Sequence, residues 1–216
     1  VYKRQAPRPT GPPPVDLADN RPGQALRAKI DDISPSFWHR LLARLLGRRT
    51  EADSWRAGLV GERKAGDELD RLTARGWHVV HSIPLPRDVD IDHLLIGPGG
   101  VYSVNTKRHP GARIWVGDHA ARVRGQSYPY PVKSRREAAR AAAALTRACG
   151  FPVDVRPVLL FVDAANVTVV PTLSDVTVVR HHREVAAFKR LDGVLTAPAA
   201  ARVHAAARDP RTWERA

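Results

Sequence analysis

Two aspartates, an asparagine and a lysine recur at alternating positions in Asp90-Ile91-Asp92-His93-Leu94-Leu95-Ile96-Gly97-Pro98-Gly99-Gly100-Val101-Tyr102-Ser103-Val104-Asn105-Thr106-Lys107. Aliphatic and β-branched residues flank the Gly97–Gly100 cluster, the pattern of two strands joined by a tight turn. A loop symmetric about Pro98-Gly99 sets Asp92 opposite Asn105 and Asp90 opposite Lys107. Opposed residues share a sheet face, with Cβ atoms about 4.5–5.5 Å apart. Alternation adds Leu94, Ile96, Val101 and Ser103 to that face. Packing gives no reason to collect two carboxylates, an amide and an ammonium at one end of an apolar face. Such groups bind cations, move protons and stabilise developing negative charge. The cluster reads as a site.

The elements around it are legible from periodicity. A helix is expected from about Trp55 to Arg75, with Gly58, Leu59, Ala65, Leu69 and Leu72 on one stripe and Gly76 closing it. Glu62 falls within that stripe. A carboxylate there is either paired at the stripe's edge or coordinating something. Trp77–Ile83 reads as a strand preceding the hairpin, and Ile114–Val116 with Ala121–Val123 as a second, small hairpin. Lys133–Cys149 is an Ala-rich helix ended by Gly150, and Val158–Val162 is a strand apolar on both faces, as at a buried sheet centre. Val176–Val179 reads as a last strand, with helices near Glu184–Leu191 and Pro198–Ala207. The order predicts an α/β fold, a mixed sheet with helices on both faces.

The 216 residues carry a net charge of +13. Residues 108–147 hold nine basic side chains against two acidic ones. That excess lies beside the polar cluster, so Arg108, Arg113, Arg122, Arg124, Arg135, Arg136 and Arg140 are candidates for a phosphate-tracking surface. Residues 1–35, with seven prolines, are expected to be a disordered Pro/Arg-rich extension. Within it, Val1–Gln5 reads as translated adapter sequence. Residues 36–50 read as a basic amphipathic helix that either docks on the domain or lies on an anionic membrane surface. The domain proper is expected over 54–192, with a C-terminal helix and tail over 193–216. One cysteine, Cys149, excludes a disulfide framework, and no apolar run approaches a membrane span, so a cytoplasmic protein is the expectation. The nine histidines show no metal-ligand spacing such as HExxH. His93, on the strand face away from Asp92, reads as a core histidine.

Gly61-Glu62, Gly76-Trp77, Ile91-Asp92-His93, Gly97, Gly100-Val101 and Asn105-Thr106-Lys107 together resemble the nuclease-related domain family, a branch of the PD-(D/E)xK nuclease superfamily. The resemblance runs from about Gly58 to Leu191 and includes, more loosely, Tyr128-Pro129-Tyr130-Pro131. It implies a restriction-endonuclease-like core in the order α-β-β-β-α-β and a metal-dependent phosphodiesterase acting on nucleic acid, with DNA the expected partner. It implies Glu62 and Asp92 as ligands of magnesium or manganese and Lys107 as the catalytic lysine. Asn105 stands where the family has an acid. An amide oxygen ligates magnesium but brings no charge. The same residues are therefore compatible with a nucleic-acid-binding module that has lost its chemistry.

Overall fold

A computed structural model describes residues 15–24, 26–27, 51–87 and 89–216, with backbone alone for 51–55. The first helix, α1, spans Glu51–Asp70. The Thr73 hydroxyl donates to the Asp70 carbonyl and tightens the chain there into a 3-10 turn, Thr73–Arg75, closed by left-handed Gly76. The expected helix over 55–75 therefore stops being α-helical at Asp70. Beyond it lie three strands, β1 (His78–Leu85), β2 (Val89–Gly97) and β3 (Gly100–Arg108). Three short ones come next, β4 (Arg113–Val116), β5 (Ala121–Val123) and β6 (Gln126–Tyr128). Then come α2 (Tyr130–Cys149), β7 (Val155–Val162), β8 (Asn166–Val169), β9 (Thr177–Val179) and α3 (Ala197–Arg208). The helix expected near Glu184–Leu191 is a 3-10 segment, His182–Arg190.

The strands make two sheets, β1-β2-β3-β7-β9 and β6-β5-β4-β8. In the larger one, β1-β2 and β2-β3 are antiparallel, while β3-β7 and β7-β9 are parallel. A parallel return from β3 to β7 needs a long crossover, and α2 provides it. Helix α1 covers one face, packing Ala65 and Leu69, with Leu72 just beyond its end, on Leu95, Tyr102, Val104 and Leu160. Helices α2 and α3 cover the other, packing Ala138, Ala141, Leu145 and Val203 on Val80, Leu94, Ile96 and Val101. Leu69 and Leu72 are fully buried, each contributing about 1.5–3 kcal/mol of apolar transfer. This is the mixed α/β sheet with helices on both faces, in the restriction-endonuclease-like order.

Strand β8 was not expected. Asn166–Val169 is only four residues long, and it is held as a strand by parallel pairing with β4, a long-range partner that local pattern does not announce. The expectation of disorder over 1–35 does not hold for residues 15–24. Leu17 enters the core, Asn20 Nδ2 donates to the Ser82 carbonyl, and Asp16 is ion-paired with Arg208. One buried leucine with specific hydrogen bonds outweighs the Pro-rich composition. Residues 1–14, including Val1–Gln5, and the amphipathic helix expected over 36–50 lie outside the described residues. Among the described residues, no helix is long and apolar enough to cross a membrane.

Candidate metal and phosphate site

The β2-β3 hairpin has the register expected from a turn centred on Pro98-Gly99, pairing Gly97 with Gly100, Leu94 with Ser103 and His93 with Val104. The pairing goes no further. Instead of standing opposite Asn105, Asp92 turns its carboxylate onto the next peptide along, and Thr106 N–H donates to Asp92 Oδ2 at 2.6 Å. The cause lies in β1. Register pairs His81 with His93 and Ile83 with Ile91, while Ser82 between them has φ 47°. Val80 and Ile83, and likewise Leu94 and Ile91, all pack into one cluster despite their odd spacing. Alternation therefore slips on both strands together beside Ser82 and Asp92, with the pairing register unchanged on either side, and takes Asp92 off the face of Leu94. The expected single face carrying Asp90, Asp92, Asn105 and Lys107 is split.

Asp90, Asp92 and Lys107 line a cavity of about 800 Å³ together with Glu62. Glu62 reaches it because α1 runs close to the end of β3. A Cβ at Gly61 would lie 2.9 Å from Arg108 Cβ, so glycine permits the approach that sets the next residue over the cavity. Glu62 is buried at 4% exposure, and its carboxyl is pushed well above the usual carboxylate range by burial, then by the charges of Asp92 and Asp90. Lys107 and the Gly23 N–H oppose that rise. Glu62 Oε2 has no hydrogen-bond partner.

Asn105 turns the other way, toward α2. Its Nδ2 donates to Glu137 Oε2 at 2.7 Å, and Ser103 Oγ donates to Glu137 Oε1. The Asn105 Oδ1 is buried without a partner. Glu137 is itself buried, and its carboxyl is raised by burial and by Asp92, against the pull of Ser103, Asn105 and Lys107. Asp92 and Lys107 thus lie within electrostatic reach of both glutamates. Sequence reasoning missed Glu137, although its signal was available. It is the sole acid of α2, four residues before buried Ala141 and three after buried Ser134.

The far wall of the cavity is aromatic and basic. Tyr128 and Tyr130 stack at 5.1 Å between ring centres, His109 Nε2 lies 3.0 Å from the Tyr130 hydroxyl, and Lys107 Nζ sits 5.5 Å over the Tyr130 ring. Burial, Lys107 and Arg124 hold His109 below the usual imidazole range. Of the arginines singled out by charge, Arg108 and Arg124 line the cavity, but Arg108 is ion-paired with Asp163 at 2.7 Å. Arg113 and Arg122 are exposed on the small sheet, with Arg122 over Trp115. On α2, Arg135 is bound to Asp175 and the Asp118 carbonyl, and Arg140 to the carbonyls of Pro86 and Ala216, while Arg136 is exposed. His93 is fully buried and held neutral, its Nδ1 2.8 Å from His81 Nδ1, though its Nε2 has no partner.

The donor set fits a hard divalent cation. Magnesium takes one or two carboxylates and leaves its other positions to water and substrate phosphate. Glu62 and Asp92 are two such carboxylates on one cavity, and Glu62 Oε2 is unpartnered; Asn105, whose Oδ1 is also buried without a partner, is not among the residues lining the cavity. Among the described residues, no three His, Cys, Asp or Glu side chains form a ready-made cage. Residues 57–162 match the family model described as nuclease-related domain. Comparison with curated proteins and with solved structures finds no match.

Proposed function

From the membership of residues 57–162 in the nuclease-related domain family, we propose that this chain is a metal-dependent phosphodiesterase acting on nucleic acid, DNA in the first instance, in the cytoplasm. The observation that carries this reading is the crowding of Glu62, Asp90 and Asp92 on one cavity, with Glu62 destabilised by the other two and one of its oxygens unpartnered. A divalent cation resolves that excess of negative charge. Glu62 and Asp92 would hold magnesium or manganese, which when bound supplies Lewis-acid polarisation of a phosphoryl oxygen and a more acidic water. Lys107, an ammonium on the same cavity, binds the phosphate and stabilises the charge that grows on it in the transition state. Tyr128, Tyr130 and His109 offer faces against which bases stack without regard to sequence. Arg124 adds a phosphate contact.

A second reading, a binding module of the same fold without catalysis, is favoured by one observation: residue 105 is an amide where the family has an acid, and among the described residues no three acidic, His or Cys side chains are arranged to hold a metal ion. Incubation of the full chain with single- and double-stranded DNA and with RNA, in magnesium or manganese, separates the two. The enzyme reading expects metal-dependent cleavage that Lys107→Ala abolishes. Salt-sensitive binding with no cleavage in either metal overturns it in favour of the module.

A further inference from the structure

We propose that the outer face of the small sheet β6-β5-β4-β8 is a platform for single-stranded nucleic acid, with Trp115 stacking a base and Arg113 and Arg122 contacting phosphates. This rests on the nucleic-acid reading above, and on neither the metal nor catalysis. The small sheet has one apolar face and one exposed face. Ile114, Val116, Val123 and Val167 turn inward into a core shared with Leu159 and Phe161. Their strand neighbours Arg113, Trp115, Arg122, Ser127, Asn166 and Thr168 alternate outward and are exposed. Pairing gathers them. Trp115 stands between Arg122 of β5 and Thr168 of β8, with Ser127 next to Arg122 and Asn166 next to Arg113.

Trp115 is the one aromatic among the exposed large apolar residues described, at 41% exposure. Its ring is held in place. Arg122 lies over it at 5.3 Å from the ring centre, and a Cβ at Gly117 would come 2.5 Å from Trp115 Cη2, so glycine makes room for the indole. A ring already held loses little freedom on taking a base. Among the described residues, Arg113 has no ion pair or side-chain hydrogen bond, and Arg122 has only the ring contact, whereas Arg108 and Arg135 are spent on Asp163 and Asp175. None of the six outward residues is acidic. Asp118, in the turn between β4 and β5, accepts from the Thr172 hydroxyl. A basic face without acids attracts a polyanion. The ring narrows the choice, because the bases of a duplex are already stacked on one another and an aromatic side chain takes unpaired ones. Ser127, Asn166 and Thr168 add neutral contacts of the kind made to phosphate and sugar. The β5-β6 hairpin joins this face to the cavity: Arg124, Gln126 and Tyr128 line the cavity, while Arg122 and Ser127 of the same hairpin stand on the platform. A strand bound on the platform thus continues over Arg124 toward Lys107.

Fluorescence anisotropy of a labelled oligothymidylate, alone and paired with its complement, tests this on the full chain in chelator, where nothing is cleaved. The parent should bind the single strand more tightly than the duplex. Trp115→Ala should weaken single-strand binding about 5- to 150-fold, the worth of one stacked base, and duplex binding less. Trp115→Phe, which keeps a ring, should lose less. Arg113→Gln and Arg122→Gln should each lower the slope of log affinity against log salt by about 0.7, one single-strand phosphate apiece. Equal single-strand affinity in the parent and in Trp115→Ala overturns the platform while leaving the nucleic-acid reading intact. An equal loss on single strand and duplex overturns the single-strand assignment. Loss of self-association in Trp115→Ala, with oligothymidylate binding unchanged, gives the face to a protein contact instead. A parent that binds neither probe overturns the nucleic-acid reading, and this proposal with it. Should Trp115→Ala melt well below the parent, the arginine variants decide: an unchanged salt slope in both means that no strand lies on this face.

Discussion

Helices α1 and α2 are each twenty residues long, pack on opposite faces of one sheet, and each carry one buried glutamate toward the same strand ends. The two carboxylates are treated very differently. Glu137 has both oxygens engaged by neutral donors, Ser103 and Asn105. Glu62 has one oxygen with no partner and faces Asp90 and Asp92. A buried carboxylate whose acceptors are filled belongs to the scaffold, whereas one left short of donors beside other acids is set up for a partner from outside. Burial alone therefore does not identify a ligand. The state of its hydrogen bonds does.

The largest effect that distinguishes the pair is on the metal. Glu62→Ala should reduce manganese affinity by more than about 100-fold, beyond the loss typical of an outer carboxylate, because it removes a direct ligand. Calorimetric titration of Glu62→Ala beside Glu137→Ala checks the order. A greater loss at Glu137 would exchange the two roles.

Stability should run in the opposite direction. Removing Glu137 strands Ser103 and Asn105 without their acceptor, so Glu137→Ala should cost about 1–3 kcal/mol or more. Glu62→Gln should instead stabilise the metal-free protein. The folded-state carboxyl of Glu62 is raised above its unfolded value, so its contribution is fully present below the ordinary carboxylate pKa and is lost as pH rises toward the raised one. Each pH unit in that window corresponds to about 1.4 kcal/mol. The melting temperature of Glu62→Gln should thus pull further above the parent between pH 5 and 8, in the presence of a chelator. A gap that stays constant with pH would show that Glu62 is not held protonated.

The same contrast explains which features the chain announces by itself. The hairpin register is set by Gly97-Pro98-Gly99-Gly100 because a tight turn fixes pairing locally. The two helices show in their stripes, and Glu62 is visible as an acid within one. The split of Asp92 from Asn105 was not legible, since it depends on a slip opposite Ser82, whose positive φ has no signature in a serine. Glu137 was legible in principle by the argument that found Glu62, but the many arginines of α2 point to its outer face instead. Arg135 and Arg140 look identical to Arg136 in sequence, and only tertiary contacts show that the first two are engaged.

A smaller effect arises from the different cover over each glutamate. Glu137 sits under α2 itself, while Glu62 accepts a hydrogen bond from the Gly23 N–H of the segment 15–24. Gly23 has φ 75°, and a Cβ there would lie 2.2 Å from Leu59 Cδ1. Gly23→Ala should therefore loosen that segment at a cost of about 1–3 kcal/mol. Hydrogen exchange over 15–24 should rise, with exchange over 130–149 unchanged. Matching increases in both segments would mean that the two sides of the sheet do not open separately.

The smallest effect is expected on the outside of α2, and it tests whether that helix also serves the substrate. Arg136 is exposed, whereas Arg135 ties α2 to Asp175 and to the Asp118 carbonyl. Charge reversal at the two positions should therefore differ in kind. Arg136→Glu should leave the stability within about 0.5 kcal/mol of the parent, as for most surface changes. If α2 tracks the backbone, it should lower the slope of log affinity against log salt for duplex DNA by roughly 1. Arg135→Glu places a carboxylate against Asp175, so it should lower stability and weaken DNA binding only as far as the fold loosens. Fluorescence anisotropy at several salt concentrations, beside thermal melts, separates them. An unchanged salt slope in Arg136→Glu would confine the contacts to the cavity side, where Lys107 and Arg124 stand, and leave α2 without a part in tracking the backbone.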